Sequence, residues 1–274
     1  AYYEEALVIG RQTRDRRGEG RRLGNLGLAH AELGDFSTAI ERYEQAVAIG
    51  REIGDRRGEG RHLRALGLAR SDLGEFPLAI ERHQQALAIS REIDDLRCEG
   101  IDLGNLGGVQ LRMGDLRKAI GHFEQAIAIA REVEARDLTA ALLVPLAQSW
   151  DELGRRESAL AALREAVALS NQDVNGSAAL FLGILLKVTG ASEEGRQRLD
   201  ESVARSRAML DRCGDLFRPL YLQALALLAR GDADAALSMY RRARERCAAP
   251  GVLRGAAFRL AWLERVARDT AGLE

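Results

Sequence analysis

Residues 16–55 read RRGEGRRLGNLGLAHAELGDFSTAIERYEQAVAIGREIGD, and residues 56–95 read RRGEGRHLRALGLARSDLGEFPLAIERHQQALAISREIDD; 26 of the 40 aligned positions are identical. Self-similarity at a fixed period marks an array of small units, none of which buries its apolar face without a neighbour. Inside 16–55, Leu23, Leu26, Ala29 and Leu33 recur at spacings of three and four, which places them on one face of a helix. Gly34 supplies the left-handed residue that closes this helix, and the Asp35 side chain caps the next by accepting from its free amides. That second helix carries Phe36, Ala39, Ile40, Tyr43, Ala46, Val47 and Ile49 on its inner stripe. Asp15 and Asp55 stand as caps before the helices that follow them. Each unit is therefore a helical hairpin, with small residues at Gly27, Ala39 and Ala46 where the helices approach and Leu26, Phe36 and Tyr43 filling the space between. Enlarging Gly27 is expected to overpack the hairpin at a cost of about 1–3 kcal/mol.

Working outward, the hairpin glycines Gly34, Gly74, Gly114 and Gly154 are 40 residues apart, with 36 residues then to Gly190 and 41 to Gly231. Residues 1–14 align with 41–54, so they are expected to be the second helix of a repeat whose first half lies upstream. Residues 15–134 hold three regular copies and 135–249 three more divergent ones. Residues 250–274 carry a final amphipathic helix, with Phe258, Leu260, Trp262 and Leu263 beside several arginines, expected to cap the last repeat. Two irregularities fall at mid-chain. Pro145 frees the carbonyl of Ala141 and is expected to kink its helix, and the turn-forming run 170–177, SNQDVNGS, is expected to change the stacking angle.

Composition agrees with a folded, helix-packed chain: 46% hydrophobic, 30% charged, four prolines and few aromatics. A formal net charge of -1 gives no electrostatic reason to expect nucleic acid or an anionic membrane surface as a partner. Of the 40 basic residues only Lys118 and Lys187 are lysines, and the arginines lie on every face. Cys98, Cys213 and Cys247 form neither a pairing pattern nor a metal-ligand spacing, which points to a reducing cytoplasm. No apolar run approaches the ~18 residues of a membrane span.

Chemistry-bearing patterns are missing. His30 and His83 stand at ring positions of the core, while His62 and His122 are expected on outward-facing turns, so the four histidines make no ligand set. The glycines around Gly104, Gly107 and Gly108 sit inside a helix and follow no strand, which excludes phosphate-loop and dinucleotide fingerprints. No nucleophile has a base at helical spacing. The expectation is a chain with no catalytic residue, no metal and no cofactor.

The order Leu26-Gly27, His30, Gly34, Phe36, Ala39, Tyr43, Ala46 resembles the tetratricopeptide repeat. It returns as Leu66-Gly67, Gly74, Phe76, Ala79, His83, Ala86 and as Leu106-Gly107, Gly114, Leu116, Ala119, Phe123, Ala126, then weakens from Leu146-Ala147 onward. The resemblance implies an all-α fold, a right-handed α-solenoid of stacked antiparallel helix hairpins. It also implies that the first helix of each hairpin lines an open inner groove where a protein or peptide binds. In that register the groove-facing residues are Arg21, Leu28, Glu32, Arg61, Arg64, Leu68, Asp72, Arg112, Gln148, Asp151, Glu152, Lys187, Arg218 and Tyr221, with Gly24, Gly104 and Gly108 among them. Arg61 and Arg64, one turn apart, have the fork geometry for a carboxylate, and Asp151 with Glu152 complements a basic ligand. The Lys/Asn clamp of chaperone adaptors is absent, since Gly24, Arg64, Gly104 and Leu28, Leu68, Gly108 occupy its positions. The 40-residue form is similar to repeats of bacterial multidomain signalling proteins, including signal-transduction ATPases, and more loosely to animal spindle-orientation adaptors. The expectation is a sensor or interaction module of a larger signalling protein. The rivals are a constitutive scaffold and the non-catalytic part of an enzyme whose active domain lies elsewhere.

Overall fold

The computed structural model describes residues 15–169, 176–213, 216–247 and 249–271. The expectations for residues 1–14 and for most of the 170–177 run lie outside these. Among the described residues there are thirteen α-helices and no strand: α1 (Arg16–Glu32), α2 (Phe36–Glu52), α3 (Arg56–Leu73), α4 (Phe76–Glu92), α5 (Leu96–Met113), α6 (Leu116–Glu132), α7 (Arg136–Glu152), α8 (Arg156–Leu169), α9 (Ser177–Val188), α10 (Ser192–Cys213), α11 (Phe217–Arg230), α12 (Ala233–Arg246) and α13 (Pro250–Ala271). Consecutive helices pack in pairs, and each pair packs on the next. No helix of the described residues is long and apolar enough to cross a membrane.

The helix ends follow local chemistry. Asp15, Asp55 and Asp95 accept from the amides of Gly18, Gly58 and Cys98, and Asp35, Asp115 and Asp232 cap the second helices in the same way. The hairpin glycines Gly34, Gly74, Gly114, Gly154, Gly190 and Gly231 all have positive φ, as a left-handed helix closure requires. Between repeats the turn residue is Gly54 in one copy but Asp94 and Glu134 in the next two, each held at φ 53. Pro145 lies inside α7, which nonetheless runs unbroken to Glu152.

Each early hairpin closes by the same contact, a ring of the second helix lying on a glycine of the first. A Cβ added at Gly27 would stand 2.7 Å from the Tyr43 ring, one at Gly67 would meet His83 at 2.7 Å, and one at Gly107 would meet Phe123 at 2.7 Å. In the fourth copy both partners change together, to Ala147 and Leu163, and both are buried. The fifth pair has no ring and brings backbones together instead: a Cβ at Gly183 would lie 2.9 Å from the Gly195 carbonyl oxygen. Arg16 bonded to Glu52 and Arg56 bonded to Glu92 close each repeat on itself, while Arg51 donating to Glu59 at 2.7 Å and Arg91 to Glu99 at 2.8 Å tie each of these repeats to the next.

His62, expected on an outward turn, is buried. It lies on Gly24 of the preceding first helix, where an added Cβ would be 2.3 Å from its Cε1, because the missing side chain there leaves a socket for the ring. Burial, then the charge of Arg61, pushes its pKa down to about 4.

The array coils far enough to meet itself. Phe217 of α11 packs edge-on against Phe36 of α2, with centroids 6.2 Å apart, and one apolar core joins Phe36, Tyr43 and Leu66 to Leu220, Tyr221 and Cys247. The terminal helix α13, expected as a cap over the last repeat, contacts α11 of that repeat and also α3, α5 and α9. It runs back along the inside of the coil.

Candidate functional site

The inner wall is built from the first helices α1, α3, α5, α7, α9 and α11. Because the repeat is 40 residues, positions 40 apart form rows along it. One row, Glu32, Asp72, Arg112 and Glu152, lies in the last turn of successive first helices. On this row the wall meets α13, and most of it is engaged from within.

Asp72 is buried and accepts from Arg112 Nη1 at 2.9 Å and from Arg218 of α11. Arg112 also donates to the Ser71 carbonyl oxygen at 2.8 Å and, with Arg254 of α13, stacks its guanidinium near the Phe76 ring. The α13 backbone arrives here at Gly251, where a Cβ would be 2.1 Å from the Ser71 carbonyl oxygen, so no larger residue fits. Farther along, Asp151 is fully buried. It accepts from Trp262 Nε1 at 2.7 Å, from Arg265 Nη2 at 3.1 Å and from its neighbour Arg156 at 3.0 Å. Glu152 pairs with the same Arg265 at 3.2 Å, and Trp262 rests edge-on against Phe181 of α9 with centroids 5.3 Å apart. A carboxylate taken out of water is tolerated only when charge-assisted donors replace its hydration, and here α13 supplies two of the three.

The remaining groove candidates divide by environment. Arg64 is committed inside the wall: Nε and Nη2 hold both oxygens of Asp102 on α5 at 2.6 and 3.0 Å, and Ser90 donates to the same carboxylate at 2.7 Å. Its fork is thus occupied by an acid of its own chain. Lys187 donates to the Ala229 carbonyl oxygen at 2.8 Å and ties α9 to the end of α11. Tyr221 donates to the Cys247 carbonyl oxygen at 3.3 Å. Gln148 is buried with its Nε2 unpaired, and Glu32 is half-buried. Gly24 and Gly104, expected on the open wall, are covered by His62 and Leu142 of the neighbouring first helices.

What stays exposed on α1 and α3 are two pairs of side chains one repeat apart. Arg21 and Arg61 are exposed, and Leu28 and Leu68, one row further, are 55% and 45% exposed although apolar. Residues Gly251, Arg259, Trp262 and Arg265, which sequence reasoning left on a terminal cap, face this wall. Their only sequence signal was a match of arginines and a tryptophan to the acidic pair Asp151 and Glu152. Among the described residues no three His, Cys, Asp or Glu side chains gather as metal ligands.

Comparison with known proteins extends this geometry. A Rap protein complexed with competence and sporulation factor superposes with a TM-score of 0.71 at 17% identity, covering 93% of this chain and 72% of that one. The apo form of RapI matches with a TM-score of 0.64 at 13% identity, over 89% of this chain and 96% of that one. A signal transduction ATPase with a tetratricopeptide repeat sensor, from Pyrococcus horikoshii, matches with a TM-score of 0.57 at 18% identity; the match covers 89% of this chain and 39% of that one. No curated protein sequence matches the chain significantly. The family model of the tetratricopeptide repeat matches residues 1–52, 23–92 and 99–172, more than half of the chain. With hairpin, glycine and ring positions repeating as described, the chain belongs to the tetratricopeptide repeat family.

Proposed function

We propose that this chain is a polypeptide-binding module, the sensor or interaction part of a larger bacterial signalling protein in the cytoplasm. The observation that carries the reading is α13 itself. The inner wall holds an amphipathic helix by a row of charged side chains and apolar contacts, which is the chemistry of polypeptide recognition. Since that helix lies across the C-terminal ends of α3, α5 and α7, an outside polypeptide has the side chains of α1 and α3 that stay exposed, Arg21, Leu28, Arg61 and Leu68. Paired exposed leucines flanked by arginines suit a segment with apolar anchors and acidic neighbours. The solved neighbours support the setting: one is a Rap protein complexed with competence and sporulation factor, another a signal-transduction ATPase with a repeat sensor. Cys98 and Cys247 are free thiols, as suits a reducing compartment.

The test is a peptide-display selection against the whole chain. Selected peptides are expected to lose about tenfold or more in affinity when Leu28→Glu and Leu68→Glu are combined, as removal of two apolar anchors implies, with the melting temperature little changed because both side chains are exposed. Undiminished binding in the double variant would remove this face from the site.

A further inference from the structure

Between α13 and the inner wall lies a cavity of about 380 Å³, lined from α3, α5, α7, α9, α11 and α13. Three arginines border it: Arg112, Arg218 and Arg259. Asp72 is the one acid on its lining, and it is already shared by Arg112 and Arg218. Arg259 has neither a hydrogen bond nor an ion pair among the described residues. It is half-buried and lines the cavity, and burial followed by the charges of Arg112 and Arg218 pushes its pKa down against the smaller opposing pull of Tyr240 and Asp72. Gln148 adds a second unmatched group on the same lining, an Nε2 buried without an acceptor. Phe181, Phe217 and Phe258 supply apolar walls.

A desolvated cation whose one nearby acid, Asp72, is already held by two other arginines, and a buried donor with no acceptor, are each unfavourable, and they line one cavity. One acceptor-rich anion would satisfy both. The volume falls in the range of small-ligand sites, and the lining has the corresponding mixture of apolar area and a few convergent polar groups. We propose that this cavity binds a small organic anion, a carboxylate or phosphate on an apolar body. Arg259 and Gln148 donate to the anionic group, Arg112 and Arg218 provide the positive field, and the phenylalanine rings cover the body. Because Arg259 belongs to α13 and Gln148 to α7, the bound anion bridges the helix to the wall.

The experiment uses the whole chain, with thermal melting and calorimetric titration of phenylacetate, phenyl phosphate, inorganic phosphate and, as a neutral control, benzyl alcohol. At tenfold excess over its dissociation constant, phenylacetate or phenyl phosphate is expected to raise the melting temperature by about 3 °C, and benzyl alcohol to leave it unchanged. Arg259→Met is expected to raise the ligand-free melting temperature, since a desolvated charge crowded by Arg112 and Arg218 is removed, and to weaken anion binding tenfold or more. Arg218→Gln, on an exposed side chain, gives the same loss of binding should the first variant not fold. The dipeptide Ala-Phe and its C-terminal amide form a further arm. Tighter binding of the free dipeptide than of phenylacetate, lost in the amide, would assign the site to a chain end and overturn the free small anion. The proposal also falls if no anion binds at millimolar concentration, or if Arg259→Met binds as well as the parent chain. It goes beyond polypeptide capture at Leu28 and Leu68, which lie outside the cavity lining, so either can fail alone.

Discussion

His83 sits where the sister repeats carry Tyr43 and Phe123, on the glycine that receives their rings. It is fully buried, and both of its ring nitrogens lack partners. Burial, then the charge of Arg64, pushes its pKa down to about 4, as burial does for His62. In the unfolded chain a histidine titrates near 6.5, so between about pH 6.5 and 4 the unfolded state binds more protons than the folded one. Stability from this source is whole above pH 6.5 and falls as the pH is lowered, by up to about 3 kcal/mol for each ring. Melting temperatures between pH 7.5 and 4 are expected to show this decline. His83→Phe is expected to flatten it and to add about 1–3 kcal/mol at neutral pH by removing two unmatched polar atoms; an unchanged pH profile would contradict the assignment. The ring position of His83 was legible in the sequence, because the period places it with Tyr43 and Phe123. The burial of His62 was not, because its socket at Gly24 belongs to the preceding repeat.

A helix is placed by what its neighbours leave open, and α13 shows how little of that is local. Its amphipathic pattern predicts a covered face, but a terminal cap and an inward-running helix require the same pattern. Gly251 distinguishes them, since only a residue without a side chain can lie against the Ser71 and Asp72 carbonyl oxygens. Gly251→Ala is therefore expected to lift the start of α13 from α3. Hydrogen exchange of the α13 amides should quicken tenfold or more while the α1–α6 pattern holds, and an unaltered α13 would show that this contact does not seat the helix. The same limit of local reading applies to Arg64. As a side chain on a helix face it looked free to grip a ligand, whereas Asp102, 38 residues on, already fills its fork. Reversing Arg64 to Glu would set two carboxylates together in a half-buried site, so this residue reports on folding; Arg61, still exposed, reports on binding. Pro145 reads differently again: the carbonyl it frees belongs to Ala141, on the lining of the same cavity as Gln148, and the helix stays continuous.

Across the whole molecule, the contact between Phe36 and Phe217 turns an open coil into one that closes on itself. Phe217 is 1% exposed and shares a core with residues of the first two repeats. Phe217→Ala is expected to cost about 3–5 kcal/mol, the usual loss for a buried aromatic, and to let the two ends separate. Small-angle scattering should then record a larger radius of gyration, and an unchanged value would place the closure elsewhere. Closure is also what gives Asp72 a partner 146 residues away in Arg218 and encloses the cavity beside Arg259. By itself the sequence determined the 40-residue period, the paired helices, their aspartate caps and glycine closures, and the ring that meets each glycine. All of these depend on groups within one repeat or its nearest neighbour, where chain connectivity holds the partners close. Only the tertiary structure decided that the ends meet, that α13 lies along the inner wall, and which candidate side chains remain free for a partner. Those outcomes depend on the rotation accumulated over six stacked pairs, and on charges separated by more than 100 residues that no local pattern brings together.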